Sequence, residues 1–334
     1  QCKKMILVTG GAGFIGSNLV AGLERSGAND VVVCDRLGAD EKWRNIAKRD
    51  LADLINPEEL IKYFETNAEH IEGVFHLGAI SATTEIDVDL IIENNFRLSR
   101  NLWGLCARYQ IPFIYASSAA TYGDGSSGFD DNAERTHLSS LAPLNAYGWS
   151  KHLFDRWVAR LLEFGRKDQM PPQWVGLKFF NVYGPNEYHK EGQISVALKN
   201  YREVSSGGPA ILFRSHNPDY DDGGQQRDFI WVGDCVDVML WLKKTPGVSG
   251  LFNLGTGKAR SFFDLTNSIF DAADITPKIE FVDTPLTLRG KYQYYTEARM
   301  ERLRNAGYII PFTNIEDGVR QYVQNFLSTK DPYI

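Results

Sequence analysis

The sequence has few cysteines and none of the close cysteine pairs that mark zinc or redox motifs. The four cysteines are Cys2, Cys34, Cys106 and Cys235. Cys34 and Cys106 lie in apolar runs, so we expect both to be small buried hydrophobes. This cysteine usage is typical of a reducing cytoplasm, and we expect no metal site.

The chain also lacks an excess of basic residues and any long hydrophobic run. Among 334 residues, 36 are Lys or Arg and 42 are Asp or Glu, which gives a net charge of −6. Such a protein has no general attraction to nucleic acid or to an anionic membrane. The apolar run at residues 5–9 reaches glycines too soon for a signal peptide or a membrane span. We therefore expect a cytoplasmic protein that binds neither nucleic acid nor membrane.

Short apolar runs alternate with segments of helical length along the first half of the chain. Alternation of this kind predicts an α/β protein with a Rossmann-type, doubly wound parallel sheet. The predicted strands are residues 5–9, 31–34, 73–76, 112–116 and 174–179, and the predicted helices are residues 14–25, 87–109 and 147–162.

The character of the sequence changes after residue 182. Residues 184–225 are rich in loop-forming residues, whereas the apolar segments 228–242 and 250–254 indicate a return to the sheet. We therefore predict a dinucleotide-binding domain formed by residues 1–182 and about 228–257. A smaller, discontinuous substrate lobe would comprise residues from about 183–227 and 258–334.

Three glycines follow the first predicted strand. Gly10, Gly13 and Gly16 form a GxxGxxG pattern that opens the first predicted helix. Glycine permits a sharp turn and a close approach of the backbone to a pyrophosphate, whose charge the helix N-terminus then favours. A purely structural turn is the alternative. The preceding strand, the following helix and an acid 19 residues after Gly16 favour a dinucleotide site.

The residues expected near the adenosine ribose are compatible with either NAD or NADP. Asp35 can accept hydrogen bonds from the ribose hydroxyls, which favours NAD. Arg36 and Lys42 are close in sequence and could neutralise the additional phosphate of NADP. Both could equally be solvated surface charges, so the residues alone do not decide between NAD and NADP.

A candidate catalytic set follows the fourth predicted strand. Tyr147 and Lys151 are four residues apart, which puts them on one face of a helix. A nearby ammonium group lowers the pKa of a phenol, so Tyr147 could act as a base near neutral pH. Ser118, just after a strand, would lie at the carboxyl edge of the sheet, where ligands bind. A surface Tyr–Lys pair is the alternative.

Taken in order, the motifs resemble the extended short-chain dehydrogenase/reductase family over nearly the whole chain. They are the glycine turn, His76-Leu-Gly-Ala, Ser117-Ser-Ala-Ala-Thr-Tyr-Gly, Tyr147-Gly-Trp-Ser-Lys, Phe180-Asn-Val-Tyr-Gly-Pro, Arg227-Asp-Phe-Ile-Trp-Val-Gly-Asp and Phe252-Asn-Leu-Gly-Thr-Gly. The resemblance implies a nicotinamide-dependent enzyme that acts on a nucleotide-activated sugar.

Other segments are similar to a narrower group of that family, the 6-epimerases of ADP-activated heptose. These segments are residues 116–123, 181–190, 288–293, Asn94-Asn95 and Ala306-Gly-Tyr. The resemblance implies an NADP-linked, homo-oligomeric epimerase that takes ADP-heptose as its substrate and supplies lipopolysaccharide core biosynthesis.

The same resemblance implies roles for particular residues. Ser118, Tyr147 and Lys151 take the catalytic positions, and Lys190 takes that of a second acid/base. The cofactor positions are Gly10, Gly13, Phe14, Ile15, Gly16, Asp35, Arg36, Lys42, Leu77, Gly78, Ala79, Ile80, Ser81, Asn94, Lys151 and Val182. The substrate positions are Ser118, Asn181, Gly192, Lys199, Phe213, Arg227 and Tyr292.

The chain departs from the family pattern at three of these positions. Leu77 stands where an acid is expected, and Gly192 and Lys199 stand where serine and histidine are expected. Lys190 could instead be a solvated loop lysine, and Arg227 could pair within its own strand rather than hold a diphosphate.

Two other functions stay open. One is an epimerase or reductase for another nucleotide sugar, such as a UDP-hexose 4-epimerase. The other is a dinucleotide-binding sensor without chemistry, against which the intact Ser118, Tyr147 and Lys151 argue.

Overall fold

The computed structural model describes residues 4–28, 30–289 and 292–334. The strands are β1 Met5–Thr9, β2 Val31–Cys34, β3 Asp53–Ile55, β4 Ile71–His76, β5 Phe113–Ser118, β6 Trp174–Phe179, β7 Asn181–Tyr183, β8 Ala210–Phe213, β9 Gln226–Arg227, β10 Phe229–Trp231, β11 Gly250–Leu254, β12 Arg260–Ser261 and β13 Ile279–Val282. The helices are α1 Phe14–Arg25, α2 Leu60–Asn67, α3 Val88–Ile92, α4 Leu98–Tyr109, α5 Arg135–Leu138, α6 Ala146–Glu163, α7 Val196–Ser205, α8 Val232–Lys244, α9 Phe262–Ala273, α10 Leu286–Arg289, α11 Glu301–Asn305 and α12 Ile315–Tyr322.

The described residues contain a seven-stranded parallel sheet in the order β11-β6-β5-β4-β1-β2-β3. This order confirms the predicted doubly wound fold. The order reverses between β1 and β4, so a crevice for a ligand opens at the carboxyl ends of those two strands. Strand β3 was not predicted, because it is three residues long and only Ile55 in it is buried. It therefore carries almost no hydrophobic pattern.

Helices cover both faces of the sheet, and alternate residues of each strand point to opposite faces. In β1, Ile6 and Val8 pack with α1 and α8, whereas Leu7 packs with α2, α4 and α6. Trp103 of α4 is fully buried, and its ring lies between 5.8 and 6.0 Å from four other aromatic rings. This aromatic cluster fixes α6, the helix that carries the predicted catalytic residues, against the sheet.

Besides the apolar cores on the two faces of the sheet, a third apolar cluster lies among a smaller group of helices and strands. Helices α7, α9 and α12 pack together there with the strand pair β7–β10. Within the predicted segment 228–242, β10 pairs with β7 and not with the main sheet, and α8 follows it; β11 does join the main sheet, beside β6.

The division into two lobes stays a prediction, with one departure visible in the packing. Residues 298–308 were assigned to the smaller lobe, but Ala298, Met300, Leu303 and Tyr308 are buried in the core against the main sheet. Within the described part of the chain, no helix is both long and apolar enough to cross a membrane.

Candidate active site

A cavity of about 650 Å³ opens at the crevice between β1 and β4. Its walls come from the glycine turn, the residues after β4, the end of β5, the start of α6 and residues 179–197. The predicted residues that line it are Gly10, Gly13, Phe14, Ile15, Gly16, Asp35, Lys42, Leu77, Gly78, Ala79, Ile80, Ser81, Ser118, Tyr147, Lys151, Asn181, Val182 and Lys190. The structure thus brings most of the predicted catalytic and cofactor residues together in one place.

The glycine turn is packed too tightly for side chains. Gly10 has φ +68°, and a Cβ placed on it would lie 2.6 Å from the backbone nitrogen of Gly78. A Cβ on Gly16 would lie 2.0 Å from the carbonyl oxygen of Gly10. No side chain caps the N-terminus of α1 at Gly13. The backbone donors of the first helical turn are therefore open to a pyrophosphate, as a dinucleotide site requires.

Asp35, at the end of β2, is surrounded by donors. Its carboxylate accepts hydrogen bonds from the backbone nitrogens of Ala12, at 2.9 Å, and Arg36, at 2.8 Å. Lys42 Nζ lies 2.7 Å from the same carboxylate and neutralises its charge. The Arg36 guanidinium lies further out, where it pairs with the exposed carboxylate of Glu58. Carboxylate, ammonium and guanidinium groups are thus grouped where the adenosine ribose of a dinucleotide would lie.

Ser118 and Tyr147 come together because α6 begins close to the end of β5. Asn145 caps α6 by accepting a hydrogen bond from the backbone nitrogen of Gly148, at 2.8 Å. A Cβ on Gly148 would lie 2.7 Å from the carbonyl oxygen of Ala120. Glycine at this position therefore lets the first turn of α6 approach the turn after Ser118, and the side chains of Ser118 and Tyr147 form a hydrogen bond.

The prediction that Lys151 lowers the pKa of Tyr147 is wrong for this structure. Burial raises the pKa of the Tyr147 phenol, and the hydrogen bond with Ser118 only partly opposes that rise. Lys151 Nζ donates to the carbonyl oxygen of Ala116 at 2.7 Å. Burial also lowers the pKa of Lys151 to about 8, although the charge of Asp155 raises it. Tyr147 is therefore held as a neutral phenol, which can donate a proton.

Lys190 is not a solvated loop lysine. It lines the cavity, and its Nζ lies 5.5 Å from the centroid of the Phe14 ring, at the start of α1. Burial lowers the pKa of Lys190, and the nearby Glu187 carboxylate partly opposes the change. Glu187 is held in turn by hydrogen bonds from the Ser195 hydroxyl at 2.7 Å and the Tyr322 hydroxyl at 3.0 Å. A lysine whose pKa is lowered by burial gives up its proton more readily than an exposed lysine.

Arg227 is buried between two aromatic rings. Its guanidinium carbon lies 5.5 Å from the ring centroid of Phe262 and 5.3 Å from that of Tyr292. The Asp228 carboxylate binds other donors, and among the described residues no carboxylate forms an ion pair with Arg227. Burial lowers the pKa of Arg227. Within its own strand, Arg227 Nη1 donates to the carbonyl oxygen of Gln226 at 2.8 Å. A buried guanidinium with no carboxylate partner among the described residues suits an anionic ligand.

The remaining predicted residues do not line the cavity. Arg36 and Asn94 lie beside it, 3.4 Å apart between Arg36 Nη1 and Asn94 Oδ1. Lys199 Nζ lies 6.0 Å from the Phe213 ring, which in turn contacts Tyr292. The predicted residues outside the cavity walls are Arg36, Asn94, Gly192, Lys199, Phe213, Arg227 and Tyr292. Cys2 and two members of the 288–293 motif, Gly290 and Lys291, lie outside the described residues.

Several cavity residues were missed by sequence reasoning. Glu187, His189, Gln193 and Ser195 line the same space as Lys190. Glu187 and His189 lie inside the motif at 181–190, so a nearby sequence signal existed. Their position in the wall depends on how the loop folds back over α1, which spacing does not reveal.

The chain is similar to known epimerases over most of its length. The model of the NAD dependent epimerase/dehydratase family matches residues 6–255. The chain is 50% identical over 333 residues to the ADP-L-glycero-D-manno-heptose-6-epimerase of Nitratidesulfovibrio vulgaris, covering 99% of this chain and 100% of that protein. It is 44% identical over 338 residues to the enzyme of that name from Fusobacterium nucleatum, covering 99% and 100%.

Solved structures give the same relationship. The crystal structure of Helicobacter pylori ADP-L-glycero-D-manno-heptose-6-epimerase is 25% identical, with a TM-score of 0.79 over 98% of this chain and 97% of that one. Thermus thermophilus UDP-glucose 4-epimerase, solved with NAD, is 26% identical with a TM-score of 0.75 over 97% and 99%. The predicted family resemblance is therefore confirmed: the chain belongs to the NAD-dependent epimerase/dehydratase family, the extended short-chain dehydrogenases.

Proposed function

We propose that the protein is an isomerase that inverts C6 of the heptose in ADP-D-glycero-D-manno-heptose to give ADP-L-glycero-D-manno-heptose. The observation that carries the proposal is the presence in one cavity of two separate proton-transfer groups, Tyr147 on α6 and Lys190 in the loop after β7. Full-length relatives at 44% to 50% identity carry the name of this activity.

Inversion of an unactivated alcohol carbon needs no net oxidation. When bound, the nicotinamide cofactor would accept a hydride from C6 and return it to the opposite face. The C6 hydroxyl must lose a proton as the ketone forms, and the ketone oxygen must gain one on return. Because the ketone turns between the two transfers, a group within hydrogen-bond reach before the turn is badly placed afterwards. Two groups, Tyr147 and Lys190, resolve this difficulty.

The environment shifts the pKa values of the two groups in opposite directions. Burial raises the pKa of Tyr147 and lowers that of Lys190. Environments that push two pKa values apart assign an acid and a base. We therefore assign Lys190 as the group that takes the hydroxyl proton and Tyr147 as the group that gives a proton to the ketone oxygen. Ser118, bonded to Tyr147, would steady that oxygen, and both groups would exchange protons before the next turnover.

The substrate must stay bound while its sugar turns. Arg227 presents a guanidinium with no carboxylate partner among the described residues, and its planar fork matches a diphosphate. We propose that Arg227 anchors the diphosphate, with Tyr292 and Phe213 alongside. Asn181 would contact the sugar, since it lines the cavity next to the residues that carry the chemistry.

We propose NADP as the cofactor, with NAD as the alternative. Lys42 neutralises Asp35, so the carboxylate would repel a ribose phosphate less strongly. The Arg36 side chain is 56% exposed, and its ion pair with Glu58 is at the surface, where such pairs are weak. Arg36 can therefore leave Glu58 for a phosphate. The glycine turn would hold the pyrophosphate, and Lys151 would hold the ribose next to the nicotinamide.

We also propose that the protein self-associates and that its product supplies lipopolysaccharide core biosynthesis. Apolar side chains near the start of α3 and on α6 are exposed, with Ile86 at 90%, Val88 and Trp149 at 42% and Leu90 at 43%. Covering such a patch favours oligomerisation. Light scattering of the purified protein would give the number of subunits, and a monomer at micromolar concentration would refute this part.

The direct test is turnover of purified ADP-D-glycero-D-manno-heptose, with both epimers resolved by chromatography. We expect wild type to reach a mixture of epimers, and Lys190→Ala to lose about 10²- to 10⁴-fold in rate. Lys167→Ala, at an exposed lysine that does not line the cavity, is the matched control.

Two results would overturn the proposal. Turnover of UDP-hexoses without turnover of the heptose would place the enzyme among the 4-epimerases. If Lys190→Ala epimerised at the wild-type rate, the two-group scheme would fail, and Tyr147 would have to act alone. A 6-aldehyde analogue separates oxidation from reduction, and we expect Tyr147→Phe and Lys190→Ala to impair different halves of its conversion.

A further inference from the structure

Two buried asparagines lie behind the cavity wall, and the scheme above gives them no role. Asn45 is 1% exposed and Asn186 is 0% exposed. Asn45 belongs to the short helix Glu41–Ile46 that also contains Lys42, and Asn186 lies in the loop that contains Lys190. The pair thus connects the segment beside the ribose site with the segment of the second proton-transfer group.

The side-chain nitrogen of Asn45 contacts both the glycine turn and the loop that contains Lys190. Its Nδ2 donates to the carbonyl oxygen of Ala12 at 2.9 Å and to that of Asn186 at 3.0 Å. The same nitrogen lies 3.2 Å from Nδ1 of His189, the residue before Lys190. One amide group therefore bridges the glycine turn and the Lys190 loop.

Asn186 completes the connection from the other side. Its Nδ2 donates to the Ser17 hydroxyl of α1 at 2.9 Å and to the Asn45 carbonyl oxygen at 3.2 Å. Its backbone has φ +72°, a left-handed conformation that asparagine tolerates better than most residues with a side chain. Asn18 of α1 adds a parallel bond, from Nδ2 to the carbonyl oxygen of Pro185 at 2.9 Å. The Lys190 loop is thus bonded to α1 at two successive residues.

A continuous path of contacts runs from the ribose site to Lys190. The Asp35 carboxylate accepts from the Ala12 nitrogen, and the Ala12 carbonyl oxygen accepts from Asn45. Asn45 then contacts Asn186 and His189, which precede Lys190. Burying an amide costs free energy unless its polar groups are paired. If the two loops only had to be held together, an apolar contact would have been sufficient. Directional bonds, unlike apolar contacts, fix the loop at one position.

We propose that Asn45 and Asn186 are positioning residues for the epimerisation, which hold the Lys190 loop in register with the glycine turn so that Lys190 faces the bound substrate. This inference rests on the proposed function, in which Lys190 transfers a proton. Neither asparagine touches the reacting atoms.

The test compares Asn45→Ala and Asn186→Gly with a matched control. Asn186→Gly permits the positive φ and removes the side-chain amide, including its bond from the backbone nitrogen of Ile334 at 3.2 Å. The control is Asn200→Ala, since Asn200 is also 0% exposed and hydrogen bonds to Glu203 and Thr266 in the smaller cluster. We expect kcat for the heptose to fall about 10- to 100-fold in both test variants, because small misplacements of a reacting group have effects of this size. The KM should change little, and the control should retain wild-type kcat.

The pH profile separates positioning from mere loss of stability. Burial lowers the pKa of Lys190, so a loosened loop that admits water should raise it. The limb of the kcat profile that belongs to Lys190 should then move to higher pH in Asn45→Ala and Asn186→Gly, but not in Asn200→Ala. An unmoved limb, or an equal loss of kcat in the control, would overturn the positioning role.

The Lys190→Ala variant distinguishes this failure from failure of the proposed function. If that limb persists in Lys190→Ala, the limb does not belong to Lys190 and the two-group scheme is wrong. If the limb disappears there but stays in place in the asparagine variants, Lys190 is catalytic and the positioning role alone is wrong. Thermal midpoints measured on all variants with bound cofactor identify any loss that comes from unfolding.

Discussion

Lys178 of β6 and Asp155 of the catalytic helix α6 form an ion pair in the core, and its removal should be costly. Both side chains are fully buried, with 2.8 Å between Lys178 Nζ and Asp155 Oδ2. Asp155 also accepts hydrogen bonds from the hydroxyls of Tyr115 at 2.9 Å and Ser117 at 2.6 Å. Lys178 Nζ also donates a hydrogen bond to the Thr121 hydroxyl at 2.6 Å. Four segments therefore depend on the two charges.

The magnitude follows from what each substitution leaves behind. Asp155→Ala would leave a buried ammonium without a counter-ion, which costs about 3–5 kcal/mol of unfolding free energy. Two hydroxyls would also lose their acceptor, at about 1 kcal/mol each. Lys178→Met leaves Asp155 with both hydroxyl donors, so its cost should be smaller. The double variant Asp155→Ala/Lys178→Met buries no charge, and it should be less destabilised than the sum of the two single variants.

Urea unfolding at fixed cofactor concentration would measure these free energies. Lys243→Met is the control, because the Lys243–Glu72 pair is about one-third exposed and such pairs contribute about 1 kcal/mol or less. If the two single effects simply added in the double variant, the pair would not be coupled and this reasoning would be refuted.

The same charge influences catalysis through Lys151. Asp155 raises the pKa of Lys151, which burial lowers to about 8. Asp155→Asn removes that charge, so the pKa of Lys151 should fall further, and Lys151 should lose its proton at lower pH. Activity that requires the charged lysine should then decline at lower pH than in wild type. A shift of the alkaline limb of kcat/KM towards higher pH would contradict this assignment.

The remaining predictions concern residues in and beside the cavity. Tyr147→Phe should bind cofactor normally but lose about 10²–10⁴ in kcat, and wild-type turnover would refute its role. Arg36→Ala should weaken binding of NADP more than of NAD in fluorescence titrations, since only NADP offers a phosphate; equal losses would reject that role. Arg227→Lys should raise KM for the heptose, because lysine cannot form the bidentate contact, whereas an unchanged KM would place the diphosphate elsewhere.

Sequence reasoning performed best where a site is built from neighbouring residues. The glycine turn, the acid at the end of β2 and the Tyr147–Lys151 pair each lie within one strand–turn–helix unit. In such a unit, periodicity fixes which side chains share a face. The structure places Gly10, Asp35 and Tyr147 in one cavity because β1, β2 and β5 are parallel strands whose carboxyl ends lie at one edge.

Electrostatic predictions were weaker, because they depend on groups that are distant in sequence. Spacing predicted a lowered pKa for Tyr147, but Lys151 donates to the Ala116 carbonyl oxygen and burial raises the pKa instead. Burial is a property of the packed fold and not of a motif. For the same reason, sequence reasoning did not identify Glu187. Its effect on the pKa of Lys190 depends on its position, which hydrogen bonds from Ser195 and Tyr322 fix.

The location of β7 and β10 explains how a second set of functional groups lies in or beside the cavity. Ser118, Tyr147 and Lys151 are carried by the main sheet and by the helix packed on it. Lys190 and Arg227 instead flank the separate β7–β10 pair, whose strands run parallel, with Asn181 opposite Phe229. Arg227 precedes β10 and Lys190 follows β7, so they leave opposite ends of that small sheet. Under the proposed function, the anchor for the diphosphate is therefore separated from the group that transfers the proton, which leaves the sugar free to turn between them.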